Sequence, residues 1–171
     1  TQDSAEEIAM MKAEARFLIA YYYYLLVNTY GAIPLQTWLT DVNAPTEDIL
    51  TGQTPYDDVI NWLDTEFQEV AKQLPAVYTE DRNYGHATSI MALAILARML
   101  LFAASPLVNG NDDPDYAAYQ NNKGQNIFNS TYDPTKWERA VKACKELIDE
   151  AEANGYHLYY EYNEDGSIDP F

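Results

Sequence analysis

The sequence predicts an all-α protein in which two helical hairpins stack on each other and long polar loops join the helices. Four segments carry apolar residues at helical spacing. Prolines stand at the starts or ends of three of them, where helices begin and stop. The four segments also repeat as two similar pairs.

The first predicted helix spans residues 4–28. Ser4 is a good N-cap, and Glu7, three residues later, completes a capping box. Residues 17–27 include no charge and contain four consecutive tyrosines at positions 21–24. A helix that is apolar all the way round is normally buried by neighbours on several sides. We therefore expect the tyrosine run to pack in the core rather than to form a ladder for ligands.

The second predicted helix begins at Thr54, an N-cap before Pro55, and ends before Pro75. Its apolar residues follow the helical period and predict an amphipathic helix. They are Tyr56, Val59, Ile60, Leu63, Phe67, Val70 and Leu74. The third predicted helix, residues 86–105, is almost wholly apolar and stops at Pro106.

The fourth predicted helix begins at Asp133, again an N-cap before a proline, and closes at Asn154 and Gly155. Its predicted buried stripe is Trp137, Ala140, Val141, Cys144, Leu147, Ile148 and Ala151. Beyond it, residues 156–160 favour a β-strand, and Asp165 with Gly166 predicts a turn.

The helices pair by sequence similarity. Ala13 and Ala15 align with Ala92 and Ala94 at an offset of 79 residues. Two similar hairpins in series predict a tetratricopeptide-like array, interrupted by long loops at residues 31–53 and 107–132. Such arrays generally need three or more repeats. We therefore expect residues 1–171 to be one helical-repeat segment of a larger domain, with more protein packed on it.

Composition excludes some classes of partner. The net charge is −17, which repels phosphate backbones and anionic lipids, so nucleic acid is excluded as a partner. The longest uncharged apolar run, residues 17–27, is too short to span a bilayer. Cys144 is the single cysteine and cannot form an intrachain disulfide.

No catalytic or cofactor motif stands out: phosphate loops, zinc motifs and serine elbows are missing. His86, His157 and Cys144 are interpreted as structural. Arg16 and Arg98, inside apolar helices, predict buried ion pairs, with Glu14 or Glu66 as candidate partners. Two acidic loops, at 109–115 and 163–169, could hold calcium or be ordinary solvated turns, and the turn is preferred.

Four segments together resemble the SusD/RagB family, the glycan-capturing outer-membrane lipoproteins of Bacteroidetes. They are residues 14–35, where the helix stops at Gly31 and leaves through Pro34, and residues 85–101, 102–110 and 137–158. The chain departs from the family at Ile19 and His86, where arginine is common. Family members are also far longer, with a lipidated cysteine and an irregular C-terminal half.

The resemblance implies a non-catalytic, surface-exposed protein of the outer membrane that binds oligosaccharide without a cofactor or metal. It also implies a SusC-like TonB-dependent transporter as the partner that receives the ligand. Membrane association would come only through a lipid anchor that this chain does not contain.

Sugar binding needs flat aromatic faces and hydrogen-bonding side chains, and the loops hold both. The candidate glycan-binding residues are Trp38, Tyr78, Tyr84, Tyr116, Tyr119 and Asn121. The alternative for each aromatic is packing beneath its own loop.

Two other functions stay open at the sequence level. One is a protein-recognition module that uses the helical array as a scaffold. The other is a fragment of an all-helical glycoside hydrolase, although no pair of carboxylates stands out.

Overall fold

The computed structural model describes residues 4–169 and contains six α-helices in that range. A 3₁₀ turn, Asp81–Asn83, precedes the fourth helix. The α-helices are α1 (Ala5–Tyr30), α2 (Thr46–Ile49), α3 (Tyr56–Ala71), α4 (Ser89–Ala104), α5 (Pro114–Ala117) and α6 (Thr135–Ala153).

The four long helices pack in chain order. Helix α1 lies against α3, α3 against α4, and α4 against α6, so α1–α3 and α4–α6 form two stacked hairpins. Within residues 4–169 the only β pairing consists of two isolated bridges, Gln120–Asn126 and Tyr162–Ile168. The predicted all-α class is confirmed. The short helices α2 and α5 lie inside the two predicted long loops.

The predicted first cap is confirmed. The backbone N–H of Glu7 donates to Ser4 Oγ at 3.1 Å, and Ser4 N–H donates to Glu7 Oε2 at 2.8 Å. Helix α1 ends at Gly31, whose φ of +73° suits glycine and whose N–H donates to Val27 O. Helix α4 begins later than predicted, because Thr88 rather than a residue near 86 caps it.

Helix α3 supplies the centre of the core. All seven residues of its predicted stripe are buried, and Val59, Leu63, Phe67 and Val70 are fully inaccessible. Phe67 meets the ring of Phe17 edge-on, with 6.2 Å between centroids. Burial of this stripe removes large apolar side chains from water and so stabilises the fold.

Helix α1 is buried on one face only, which differs from the expectation of burial on several sides. Ala13, Phe17, Ala20, Tyr24 and Val27 face the core at helical spacing. The opposite faces are open: Leu18, Ile19, Tyr22, Leu25, Leu26 and Tyr30 are between 39% and 71% exposed. Among the described helices, α3 is the one that packs along α1.

The predicted stripe of α6 is partly wrong. Ala140 is buried, but Trp137, Val141 and Ile148 are exposed, at 38%, 66% and 54%. The helix packs on α4 through small residues, Ala140 and Ala143, which allow a close approach. Its larger apolar residues therefore remain outside the contact.

Three cations pair with carboxylates between helices. Arg16 Nε donates to Glu66 Oε2 at 2.5 Å, which confirms one predicted ion pair. On α6, Lys136 Nζ donates to Asp57 Oδ1 at 2.6 Å, and Arg139 Nη2 donates to Asp64 Oδ2 at 2.6 Å. These contacts tie both α1 and α6 to α3.

The expectation for Arg98 is wrong. It lies exposed on α4 and has no ion-pair or hydrogen-bond partner among residues 4–169. The predicted strand at residues 156–160 is also wrong, because the segment has no regular secondary structure and no β partner within the described chain, and all five residues are exposed. The turn at Asp165 and Gly166 is confirmed, with Gly166 at φ +79°. The tail's last two residues lie outside the described part.

None of the described helices has both the length and the apolar character that crossing a bilayer requires.

Candidate functional site

The two long loops meet beside the start of α3, and Gln53 joins them. Its Nε2 donates to Ala32 O at 3.0 Å, which holds it against the end of α1. Its Oε1 accepts a 3.0 Å hydrogen bond from the Tyr119 hydroxyl. Its backbone carbonyl accepts another from Asn121 Nδ2 at 2.9 Å. One glutamine therefore fixes the positions of an aromatic ring and an amide from the other loop.

Hydrogen bonds of Thr54 and Tyr56, which follow Gln53 in the chain, hold the two loops in place. Thr54 N–H donates to Ile33 O at 2.9 Å, and Thr54 Oγ1 accepts from Leu35 N–H at 3.1 Å. Thr54 thus bonds the first loop instead of capping α3 as predicted. Tyr56 N–H donates to Ile127 O at 2.8 Å, which attaches the second loop to the same helix start.

A small turn positions Tyr119 and Asn121. Asn121 Oδ1 accepts from the backbone N–H groups of Lys123 and Gln125, and Asn121 N–H donates to Gln125 O at 3.0 Å. Ile127 N–H donates to Tyr119 O, closing the hairpin. These hydrogen bonds satisfy the polar groups of the turn within the loop itself and fix its backbone. The Tyr119 side chain, which is 49% exposed, is therefore held in a fixed position.

Phe128 anchors the second loop on the core. Its ring stacks on Tyr116 at 4.2 Å between centroids and contacts Tyr56 at 5.7 Å. Burial disfavours the phenolate form and raises the pKa of Tyr56 and of Tyr116 above the ordinary value. Tyr116 therefore uses a ring face for loop packing.

Asn109 closes the base of the second loop. Its Nδ2 donates to Ala104 O at 3.2 Å and Asp133 O at 3.0 Å, and its Oδ1 accepts from Asp133 N–H at 2.8 Å. The side chain is buried, so these bonds are shielded from water. The amide thereby ties the end of α4 to the start of α6.

An open groove lies beside this loop junction. We call it the tyrosine groove; its volume is about 690 Å³. The exposed face of α1 forms one wall with Ile19, Tyr22, Leu26 and Tyr30, and the first loop forms the other with Ala32, Ile33, Pro34, Gln36 and Gln53. Tyr22 is 60% and Tyr30 71% exposed. Neutral amides and tyrosines border the groove, and no carboxylate lines it among the described residues.

Trp38 lies two residues beyond the groove wall. Tyr23 holds Gln36 in place, because its hydroxyl donates to Gln36 O at 2.7 Å and accepts from Gln36 N–H at 3.1 Å. Tyr23 in turn contacts the Trp62 ring edge-on at 5.2 Å. Trp38 is 57% exposed and makes no ring contact with another aromatic in residues 4–169. It is available to a ligand.

The structure brings only some of the predicted glycan residues together. Tyr119 and Asn121 meet at Gln53, and Trp38 lies on the segment that borders the same groove. Tyr78 and Tyr84 belong to a separate segment: Tyr78 contacts the His86 ring at 5.8 Å, and Tyr84 is 93% exposed.

Sequence reasoning missed three residues of this surface: Gln53, Tyr22 and Tyr30. Gln53 carries no signal beyond its position at a loop end. Tyr22 belongs to the run predicted to pack in the core, yet consecutive tyrosines must point around a helix, so some of positions 21–24 had to face outward. Tyr24, by contrast, is buried as expected.

The described residues include no cluster of three or more His, Cys, Asp or Glu side chains placed to hold a metal ion. In the loop at 163–169, Asp165 Oδ1 accepts from Ser167 N–H and Oγ. These hydrogen bonds lower the pKa of Asp165.

More than half of the chain matches a known protein family. The family SusD-like_3, described as "Starch-binding associating with outer membrane", matches residues 1–101. The chain belongs to the SusD-like family. No curated protein matches the sequence.

Solved structures agree with this assignment. BT4246 shares 37% identity with a TM-score of 0.83, and the match covers 94% of this chain and 27% of BT4246. A SusD-like protein (BF3747) from Bacteroides fragilis NCTC 9343 shares 19% identity, with a TM-score of 0.63 and coverage of 92% and 23%. Surface glycan-binding protein A from Bacteroides uniformis shares 22%, with a TM-score of 0.56 and coverage of 95% and 28%. The SusD-like chain thus spans about a quarter of the length of the structures it matches.

Proposed function

We propose that the full-length SusD-like protein containing this segment binds oligosaccharide without hydrolysing it, and that the loop junction contributes contacts. The observation that carries the proposal is the half-exposed Tyr119 ring, fixed by Gln53 beside the Asn121 amide. The family description, which names starch binding, supports the ligand class. Residues 1–171 would then be one helical-repeat part of a larger domain.

The chemistry of the surface suits a neutral sugar. Tyr119 and Trp38 offer exposed aromatic faces on which the apolar face of a pyranose ring can stack. The Gln53 amide uses one of its two N–H groups and one of the two lone pairs on Oε1, so it can still donate to and accept from a sugar hydroxyl. The Asn121 amide is fully engaged inside the loop and serves to hold it in place. A neutral ligand also avoids the repulsion that a chain of net charge −17 exerts on anions. Of the other candidates, Tyr78 and Tyr84 lie on a separate segment.

We further propose that the parent protein acts at the outer-membrane surface and delivers its ligand to a SusC-like TonB-dependent transporter. The family description supports the outer-membrane association. The transporter partner is implied by the SusD resemblance. Co-purification of the full-length protein with the transporter from solubilised outer membranes would test this part separately.

The ligand proposal is tested by isothermal titration of the full-length protein against a panel of plant, host and microbial oligosaccharides, including maltoheptaose. We expect at least one sugar to bind and to be recovered at its original length. Trp38→Ala and Tyr119→Ala should each raise the Kd about tenfold, because each removes a stacking face. Tyr119→Phe keeps the face and should change the Kd about threefold or less.

Tyr159→Ala is the matched control, since this tyrosine is 80% exposed and lies on the tail, away from the loop junction. Its Kd should equal that of the wild type. If Trp38→Ala and Tyr119→Ala both bind the sugar as tightly as the wild type, the loop junction does not contact the sugar. An absence of heat with every sugar would favour the protein-recognition alternative, and shortened sugars would favour the hydrolase.

A further inference from the structure

A second groove runs between α1 and α4, on a different part of α1 from the tyrosine groove. We call it the α1–α4 groove. It consists of two adjoining hollows, of about 660 and 550 Å³, that share Tyr24, Asn28 and Arg98. Its walls are mostly apolar and include Leu18, Tyr21, Leu25, Met91, Ile95 and Phe102. Leu18, Met91 and Phe102 are 41%, 44% and 45% exposed.

Arg98 is the cation at the centre of this groove. The chain has four arginines, and three of them bond carboxylates: Arg16 to Glu66, Arg82 to Glu80 and Arg139 to Asp64. Arg98 alone has no carboxylate within residues 4–169, although the chain carries 27 acidic residues. An unpaired guanidinium amid apolar side chains is costly once water is excluded.

A second polar group in the groove also lacks a partner. Ser105 lines the hollow nearer to Phe102, and its Oγ is buried without a hydrogen bond in the described part of the chain. Buried hydroxyls are normally bonded. The surface of the groove therefore offers apolar side chains and one cation to a covering segment, while the Ser105 hydroxyl is buried beneath that surface.

We infer that an apolar segment from the rest of the full-length polypeptide covers the α1–α4 groove and places an Asp or Glu carboxylate on Arg98. The inference rests on the proposal that residues 1–171 belong to a larger domain. In BT4246 the matched region is only 27% of the chain, so a related full-length protein has ample further polypeptide that could cover the groove. Covering the groove would remove the exposed apolar surface of Leu18, Met91 and Phe102 from water, which is favourable.

A second copy of this chain fits the groove less well. The only carboxylate that lines the groove among the described residues is Glu14. Glu14 is already engaged, since it bonds His86 Nδ1 at 2.9 Å and accepts from Ala87 N–H at 3.2 Å. A face-to-face dimer through this groove would therefore bring Arg98 no free carboxylate from the groove itself.

Methionine oxidation tests the covering in the full-length protein. Met91 lines the groove, and Met11, 58% exposed on α1, lies outside it. Peroxide oxidation rates are measured by mass spectrometry for the folded and the urea-unfolded protein. We expect folding to slow Met91 oxidation about tenfold or more, independently of protein concentration. Equal rates, or protection that disappears on dilution, would overturn the inference.

The carboxylate is tested by charge reversal in the same protein. Arg98→Glu should lower the urea midpoint clearly more than Arg82→Glu, because Arg82 sits in an exposed pair with Glu80. If Arg98→Glu does not fold, Arg98→Met is compared with Arg82→Met. Equal midpoints would show that no carboxylate meets Arg98. Neither readout involves sugar, so these results separate the covering of the groove from glycan binding.

Discussion

At the scale of single residues, the candidate site depends on side chains whose hydrogen bonds are completed by the loops themselves. Gln53 uses its amide and its backbone on three partners, and this leaves the Tyr119 ring as the exposed group. The aromatic character of the loops is readable from the sequence. The role of Gln53 is not, because it comes from a contact with a residue 66 positions away.

Burial of Tyr56 gives a prediction for alkaline pH. The Tyr56 side chain is buried, and desolvation raises its pKa above the ordinary value of about 10. The folded state then holds the proton more tightly than the unfolded state. The stabilisation is fully present below about pH 10 and is lost as pH rises above it. In the full-length protein, Tyr56→Phe should therefore flatten the fall in unfolding free energy above pH 10.

Tyr30→Phe is the control, because it is the same substitution at a side chain that is 71% exposed. Urea unfolding between pH 9 and 11 should give the control the same pH slope as the wild type. A Tyr56→Phe slope equal to that of the wild type would contradict the account of Tyr56.

At the scale of elements, the helices were predictable because caps, prolines and apolar periodicity all agree along the chain. Helix α3 follows its predicted stripe throughout. Helix α6 does not, because close packing on α4 selects the small residues Ala140 and Ala143 over Trp137 and Val141. A periodic pattern indicates an apolar face, but only a neighbour determines which part of that face is buried.

The attachment of the second loop gives an element-scale prediction. Gly110 follows Asn109, whose side chain bonds the end of α4 to the start of α6. Gly110 has φ +81°, and a Cβ there would lie 2.8 Å from Tyr132 Cα. Gly110→Ala should lower the unfolding free energy by about 2–4 kcal/mol, from backbone strain and this clash together. Chemical denaturation of the full-length variant measures the loss.

Gly124→Ala is the matched control. Gly124 also has positive φ, at +74°, but no atom lies within 4 Å of the position that an alanine Cβ would take. The substitution should cost only the backbone strain, about 1 kcal/mol. Equal losses at the two glycines would mean that the packing of Gly110 on Tyr132 does not hold the loop.

At the scale of the whole molecule, the described chain is a scaffold with two open sides. The prediction that more protein packs on it followed from the presence of only two helical hairpins and from the apolar first helix, and α1 exposes apolar surface in two grooves. Sequence could not say which faces stay open or which candidates converge. Tyr78 contacts His86 on its own segment, whereas Tyr119 contacts Gln53 of the first loop. Such groupings depend on contacts between residues far apart in the sequence.

The most direct measurement is hydrogen–deuterium exchange of the full-length protein, with and without an oligosaccharide that binds in the titration. The account predicts slower exchange in residues 36–40 and 119–126 when the sugar is bound. Exchange in α4 (Ser89–Ala104), which lies in the core, should not change. Protection elsewhere, with no change in either loop segment, would contradict the assignment of the loop junction as a glycan-binding surface.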